Sequence, residues 1–506
     1  MKASVQIIRN ILANWGAYFI GTIVGFLMMP FVIHQLGDMK YGIWVLIMNF
    51  TGYLGMLDFG VSGSVVKYVA EFKARNDKDG LNEFCTTAFY IFLASGVLVF
   101  LLASIIAFHL IPFFKIPFEQ LSEARYVTLI VGLQIGLTLP FGFFSGYMRG
   151  IQRYDLLAII RMTFLLIRSL FIVIFLLKGH GLISLALIHL ISTICSGMIR
   201  IVYVYKANPD LKLKIILINK EKIRMVSHYS LFIFLYYMAR RMIFAMDSLI
   251  IGYYLTAATI TLYTIPQRLV EYLRTLIMAT AVVRPTISHL DAEGQTAKIQ
   301  SLLIKGAKYS LMVALPIGVS YILIGEEFVF LWMGSKYSSL CYPVLIMLTF
   351  GIIAHISQFT STQVLQGLAK HRVAAYATMC EAAAHLFLSI LLVQKYGIFG
   401  IAIGTTIPMM CTNIIVIPWY TCRVIGSSPI FYFKEALFTP FISVLIFSAI
   451  LYLLLNFIVI HTWVNFFVVL LVALSIYTPC ALFICLSKSE RNARFQQFRA
   501  VFNSGL

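Results

Sequence analysis

Long apolar stretches recur from one end of the chain to the other, at 11–33, 41–65, 85–109, 126–147, 156–177, 181–200, 228–255, 260–283, 309–333, 341–363, 373–393, 398–420, 437–459 and 463–486. Each is long enough to cross about 30 Å of hydrocarbon as a helix. They are too long for barrel strands and lack the alternation that barrels need, and only helices and closed barrels satisfy their backbone inside a bilayer. The sequence therefore predicts an all-α polytopic membrane protein with fourteen spans. Composition excludes the alternatives. Charged residues make up 12% of the chain and hydrophobic residues 60%, with a mean hydropathy of +0.91. A soluble domain carries about 25% charged residues, so a soluble enzyme, a disordered chain and a disulfide scaffold are all ruled out. The eight cysteines stand without paired spacing, mostly in apolar runs, and read as small buried hydrophobes. The first run follows Arg9 and Asn10 and is long enough to span, so it reads as a helix rather than a cleaved leader.

Thirty-nine Lys and Arg against twenty Asp and Glu give a net charge of +19. In a membrane protein such an excess is first a topology signal, because cytoplasmic loops concentrate Lys and Arg. With a cytoplasmic N-terminus, the tails and even-numbered connections, counted with Arg200 at the end of its span, hold 27 Lys and Arg, while the opposite-side connections hold 6. Both termini are therefore expected inside, in the cytoplasmic membrane. The longest outward connection is 110–125, too short for a catalytic domain, so the chain is not expected to be an enzyme.

The most basic connection, with Lys206, Lys212, Lys214, Lys220, Lys222 and Arg224, separates six helices from eight. The segments 36–54 and 255–273 align, as do 148–154 with 365–371 and 181–187 with 397–403, at offsets of 219, 217 and 216. Six helices separate the equivalents, so the copies run in the same direction, as parallel repeats do. The expected organisation is a six-helix lobe over 1–205, a basic linker over 206–227, a second six-helix lobe over 228–423, and two appended helices with a basic tail over 424–506.

Charged residues inside the spans point to function. Arg161, Arg168, Arg240, Arg241, Arg268 and Arg274 lie there, with Asp58, Asp247, Glu271 and Glu381. An ionised side chain at mid-membrane costs about 2.5–3.5 kcal/mol on the insertion scale, so these groups are expected to face water, one another or an anionic ligand. Arg161 can snorkel to the headgroups. Arg168 lies two turns deeper. Arg240 and Asp247 share a stripe of one helix. Glu271 lies three residues from both Arg268 and Arg274 and cannot neutralise both. Counting Arg168, Arg240, Arg241, Arg268 and Arg274 against Asp247 and Glu271 leaves a cationic surplus, suited to a phosphate-bearing cargo. An ion-pair network with a purely structural task is the alternative. Asp58 and the Glu381–His385 pair, four residues apart on one helix, are candidates for carrying a coupling ion or for structural pairing. No cofactor or metal site is expected. Pro140, Pro266, Pro316 and Pro408 fall inside spans, where each kinks its helix.

The texts NWGAYFIGTIVGFLMMPFVIHQLGDMKYGIWVLIMNFTGYLGMLDFGVSGSVVKYVAEF at 14–72, GYMRGIQRYDLLA at 146–158 and MDSLIIGYYLTAATITLYTIPQRLVEYLR at 246–274 carry a resemblance. With the layout of six, six and two helices, the chain resembles the Wzx-type polysaccharide and O-antigen flippases of the multidrug/oligosaccharidyl-lipid/polysaccharide exporter superfamily. The resemblance implies a MATE-like fold of two lobes and a basic lumen, here falling on Arg168, Arg240, Arg241, Arg268 and Arg274. It further implies alternating access, coupling to H+ or Na+, and an undecaprenyl-pyrophosphate-linked oligosaccharide moved from the inner to the outer leaflet. Glycosyltransferases and a glycan polymerase would be its working partners. The rival readings are a multidrug antiporter of the same fold, which would want a net negative lumen, and a membrane glycan polymerase or ligase, which would want a large outward loop.

Overall fold

The computed structural model describes residues 2–58, 61–219, 221–223, 231–280, 284–370, 372–486 and 490–491. The side chains of 2–15, 17–18, 231–237, 239–240, 242, 244, 278–280 and 284–285 are outside the described set. Among the described residues the chain is helical throughout, with no strand. The helices are α1 (Lys2–Leu54), α2 (Val61–Ala74), α3 (Lys78–Ile105), α4 (Phe118–Gly150), α5 (Tyr154–Leu177), α6 (Leu182–Ala207), α7 (Leu231–Tyr254), α8 (Ala257–Thr280) and α9 (Arg284–Ala292). There follow α10 (Thr296–Leu323), α11 (Gly325–Met333), α12 (Ser335–Ser357), α13 (Phe359–Gly367), α14 (Arg372–Cys411), α15 (Ile417–Val424), α16 (Pro429–Tyr432), α17 (Thr439–Leu455) and α18 (Trp463–Cys485).

Ten helical stretches among the described residues are long and apolar enough to cross a membrane. Two of them each cover a pair of expected spans. Phe19–Ala74 takes in 11–33 and 41–65 across a break at Gly37 (φ 76), and Arg372–Val424 takes in 373–393 and 398–420 across Gly397 (φ 57). The charge-bearing α7 and α8 are not among the ten. Boundaries shift where a helix continues beyond the apolar run. The span expected at 309–333 starts at Thr296, because Lys298, Lys305 and Lys308 ride on the same helix, and it stops at Leu323. The span expected at 41–65 ends at Leu54, after which a tight turn over Gly55–Asp58 leads into α2.

The chain forms two compact units, Met1–Thr261 and Leu262–Leu506. In the first, α2, α3, α4 and α6 enclose Val65, Phe84, Phe143 and Tyr147, all fully buried. Gly96 and Gly136 bring α3 and α4 so close that a Cβ on Gly96 would lie 2.4 Å from the Gly136 carbonyl oxygen. Small residues serve this purpose in lipid, where helix association depends on close packing rather than on the hydrophobic effect. In the second unit α17 and α18 pack on α10 around Leu311, Phe447 and Tyr477, and the Tyr477 hydroxyl donates to the Met312 carbonyl at 2.9 Å. The appended pair is thereby part of that unit. The outer faces are apolar, with Phe19 66% and Leu471 64% exposed, as a surface solvated by lipid must be.

The same two turns occur in both units. Asn76 (φ 54) ends α2 and Gly294 (φ 68) ends α9, 218 residues later. Gln152 (φ 60) follows α4 and Ala369 (φ 55) follows α13, 217 residues later. In each turn the next amide reaches back five residues along the chain: Asp77 to Phe72 and Gln295 to Leu290, at 3.1 and 2.8 Å, then Arg153 to Met148 and Lys370 to Leu365, at 2.9 and 2.8 Å. This is a Schellman closure, in which a left-handed residue caps the carbonyls of the last helical turn.

Candidate substrate-binding faces

Each unit carries its own charged side chains. In the first unit α7 lies against the second half of α1. The guanidinium of Arg241 sits directly over Gly52, where a Cβ would lie 2.1 Å from Nη2. Its Cζ stands 5.6 Å from the ring centre of Tyr53, whose hydroxyl donates to the Arg241 carbonyl at 3.4 Å. Asp247 is buried (1% exposed) and, like Arg241, acts electrostatically on Tyr53. One turn further, Asn49 Nδ2 donates to Ser248 Oγ at 2.8 Å. The contact between α1 and α7 is therefore polar over about two turns of α7. Arg240 is on the same helix, but its side chain is outside the described residues.

Arg168 faces α6. Its Nη1 donates to Nδ1 of His189 at 3.5 Å, which requires that nitrogen to be unprotonated. The His189 ring meets the edge of Trp44 at 5.2 Å between centroids. Among the described residues Arg168 is in no ion pair with a carboxylate, so its charge is held by a neutral partner only. Arg161, by contrast, is exposed.

In the second unit, Glu271 chooses between its two possible partners. Arg274 takes it in a two-pronged ion pair, Nε to Oε2 at 2.8 Å and Nη2 to Oε1. Arg268 is exposed and, among the described residues, forms no ion pair. One positive charge of α8 is left over, as the count of one acid between two arginines requires. Pro266, two residues earlier, is buried, and the Leu262 carbonyl that its missing amide leaves over accepts from Cys341 Sγ at 3.2 Å.

Glu381 (5% exposed) and His385 (1%) are both buried on one stripe of the first half of α14, and Ser389 extends that stripe by another turn. Asp58 lies just before the start of α2. Its Oδ1 accepts from the Ser62 backbone amide at 3.1 Å, capping the first turn of α2.

Several polar residues of these faces were not singled out from the sequence. His189 is one histidine in a largely apolar helix, and Trp44 and Tyr53 are two aromatics among many in the sequence. A weak signal was present all the same, since His189, Thr193, Ser196 and Arg200 recur at helical spacing along α6.

The chain matches the polysaccharide biosynthesis protein family over residues 36–342. It is 23% identical over 417 residues to a probable low-salt glycan biosynthesis flippase, Agl15, of Haloferax volcanii, covering 78% of this chain and 80% of that protein. It is 19% identical over 421 residues to a putative O-antigen transporter of Shigella flexneri, covering 82% and 98%. Among solved structures, the inward closed conformation of the lipid II flippase MurJ superposes with a TM-score of 0.75 at 16% identity, covering 94% of this chain and 98% of that one. The last likeness is one of fold alone: a multi-pass helical membrane protein. The match to the family extends over more than half of the chain, from the kink at Gly37 through α8 and into α12, and this multi-pass membrane protein belongs to the polysaccharide biosynthesis protein family.

Proposed function

We propose that the protein is a flippase, a transporter and not an enzyme, which moves an undecaprenyl-pyrophosphate-linked oligosaccharide from the inner to the outer leaflet of the cytoplasmic membrane. The observation that carries this reading is a pair of guanidinium groups with no carboxylate partner among the described residues, Arg168 against a neutral imidazole and Arg268 exposed beside a closed ion pair. A cation that costs several kcal/mol to insert and is not neutralised internally is suited to neutralisation by a cargo. Arginine's planar fork matches phosphate oxygens in pairs. The names of the relatives, a glycan biosynthesis flippase and an O-antigen transporter, support the same cargo class.

In this mechanism the pyrophosphate is held by the arginines while the polyprenyl tail stays in lipid and the sugar hydroxyls stay hydrated, since stripping them of water without replacement hydrogen bonds is costly. Cargo binding offsets the charge of the arginines and so favours the state in which water is shut out. Release needs a weaker hold, supplied by a conformational change or by a coupling ion, H+ or Na+. Glu381 and His385 are the buried pair available to carry a proton.

The test is reconstitution in liposomes with a defined lipid-pyrophosphate glycan, scoring its arrival in the opposite leaflet. Arg168→Gln and Arg268→Gln should each lower the rate at least tenfold while the protein still inserts and stays folded. Wild-type rates in both variants would remove the cationic-cargo reading. Glu381→Gln should abolish stimulation by an imposed pH gradient, and an unchanged response would exclude the pair as the proton carrier.

A further inference from the structure

The polar groups of the first unit do not end at Arg168. They continue along α4 and α6 to a second pair of arginines. Gln134 Nε2 donates to Thr193 Oγ1 at 3.3 Å, one turn from His189. Further along, the Arg200 guanidinium gives Nε to the Ser196 carbonyl at 2.9 Å, Nη2 to Ser196 Oγ at 3.0 Å and Nη1 to Ser145 Oγ at 2.7 Å. Arg149, on the last turn of α4, gives Nε to the Ser145 carbonyl at 3.3 Å. Gly197 permits this approach, since a Cβ there would lie 2.5 Å from the Phe141 ring. The two guanidinium groups thus converge on one serine of α4.

The donor count shows what is left over. A guanidinium has five N–H groups. Among the described residues, three of those on Arg200 and one on Arg149 are engaged. The remaining donors are on the terminal nitrogens, the pair that grips two oxygens of one phosphate. Neither arginine is ion-paired to a carboxylate among the described residues. Asp58 is near enough to Arg149 to act on it electrostatically but forms no ion pair with it among the described residues, and its Oδ1 accepts the α2 capping bond. Arg153, the next base along, is already engaged by Asp155 at 3.3 Å and lies over the Tyr203 ring.

We infer that Arg149 and Arg200, with Ser145 and Ser196 holding them, form a second phosphate-binding station, distinct from Arg168 and nearer the end of the helices. Eleven residues of α6 separate Arg200 from His189, about 16 Å at 1.5 Å per residue, or about half the hydrocarbon thickness. Thr193, Ser196 and Gln134 fill that interval with hydroxyl and amide groups. The ligand class is a phosphate or pyrophosphate monoester or diester, and its identification with a lipid-linked glycan rests on the flippase reading.

Purified full-length protein in phosphatidylcholine nanodiscs is titrated with inorganic pyrophosphate and with farnesyl pyrophosphate. Arg149→Gln and Arg200→Gln should each raise the Kd for both probes about tenfold or more, the loss of a charge-assisted contact, whereas Arg75→Gln at the surface should change it less than twofold. Kd values within twofold of wild type in both variants, or no probe binding to wild type, would overturn the station. Arg200 also ties α4 to α6, so if Arg200→Gln does not fold, Arg149→Gln decides the matter alone. Repeating the titration with phosphatidylglycerol in the nanodisc separates two sources of phosphate. Unchanged probe affinity supports a cargo pyrophosphate, and strong competition supports a phospholipid headgroup at the same station. If wild type moves no lipid-linked glycan in liposomes yet binds pyrophosphate through Arg149 and Arg200, the flippase reading falls and the station stands. If both variants transport and bind like wild type, the station falls alone.

Discussion

Gly42 and Gly52, ten residues apart on α1, are crowded by different kinds of atom. A Cβ on Gly42 would lie 1.7 Å from the Ala257 carbonyl oxygen, part of a helix backbone that cannot retreat. A Cβ on Gly52 would meet the Arg241 guanidinium, with Nη2 at 2.1 Å, the far end of a flexible side chain. Gly42→Ala should therefore lower stability by about 1–3 kcal/mol, read as thermal unfolding in detergent. Gly52→Ala should stay within about 0.5 kcal/mol of wild type but shift the guanidinium and slow glycan transport severalfold. Wild-type transport by Gly52→Ala would mean that the position of Arg241 is immaterial. The sequence showed that α7 carries mixed charge, but not which residue would turn towards α1. Arg241 makes the described contacts with Gly52 and Tyr53, and the expected stripe of Arg240 and Asp247 is visible only at Asp247. Glu271 was legible as far as its choice: three residues either way is contact distance on a helix, and only the packed structure picks Arg274.

Lys308 belongs to the scale of the element. It is 8% exposed on α10, and its Nζ lies 3.3 Å from Glu435 Oε2 and 3.2 Å from the Cys485 carbonyl. One ammonium group thus ties α10 to the residues before α17 and to the end of α18. Lys308→Ala should destabilise the protein by about 1–3 kcal/mol, because Glu435 and a helix-end carbonyl both lose a donor. Lys308→Met, which keeps the apolar stem, should lose less. Unfolding unchanged in both would show that the appended helices are held by packing alone. The location of helices was readable from the sequence because length and hydropathy decide partition into a bilayer. Their rotation was not, since lipid is as apolar as a protein core and an evenly apolar helix marks no inner face. Arg200 shows the cost of reading boundaries from hydropathy: it lies at the edge of the expected span 181–200, while α6 continues to Ala207 and carries it inward against Ser145.

For the whole molecule, the 27-to-6 division of Lys and Arg predicts that both ends of the chain face the cytoplasm. A fluorescent protein fused to the C-terminus should mature, and alkaline phosphatase fused there should stay inactive. Active phosphatase at that position would reverse the assignment and move the Arg149–Arg200 pair to the opposite leaflet. The paired turns bear on the molecule in another way. Gln152 and Ala369 adopt the same left-handed conformation and are followed by the same backward-reaching amide, yet neither is glycine. A non-glycine residue there carries about 1–2 kcal/mol of backbone strain. Nature has thus supplied a built-in duplicate: one edit, to glycine, can be made at either copy and the two melting curves compared. Equal gains would mean that both halves share a single cooperative transition, whereas a gain from one alone would identify the half that gives way first.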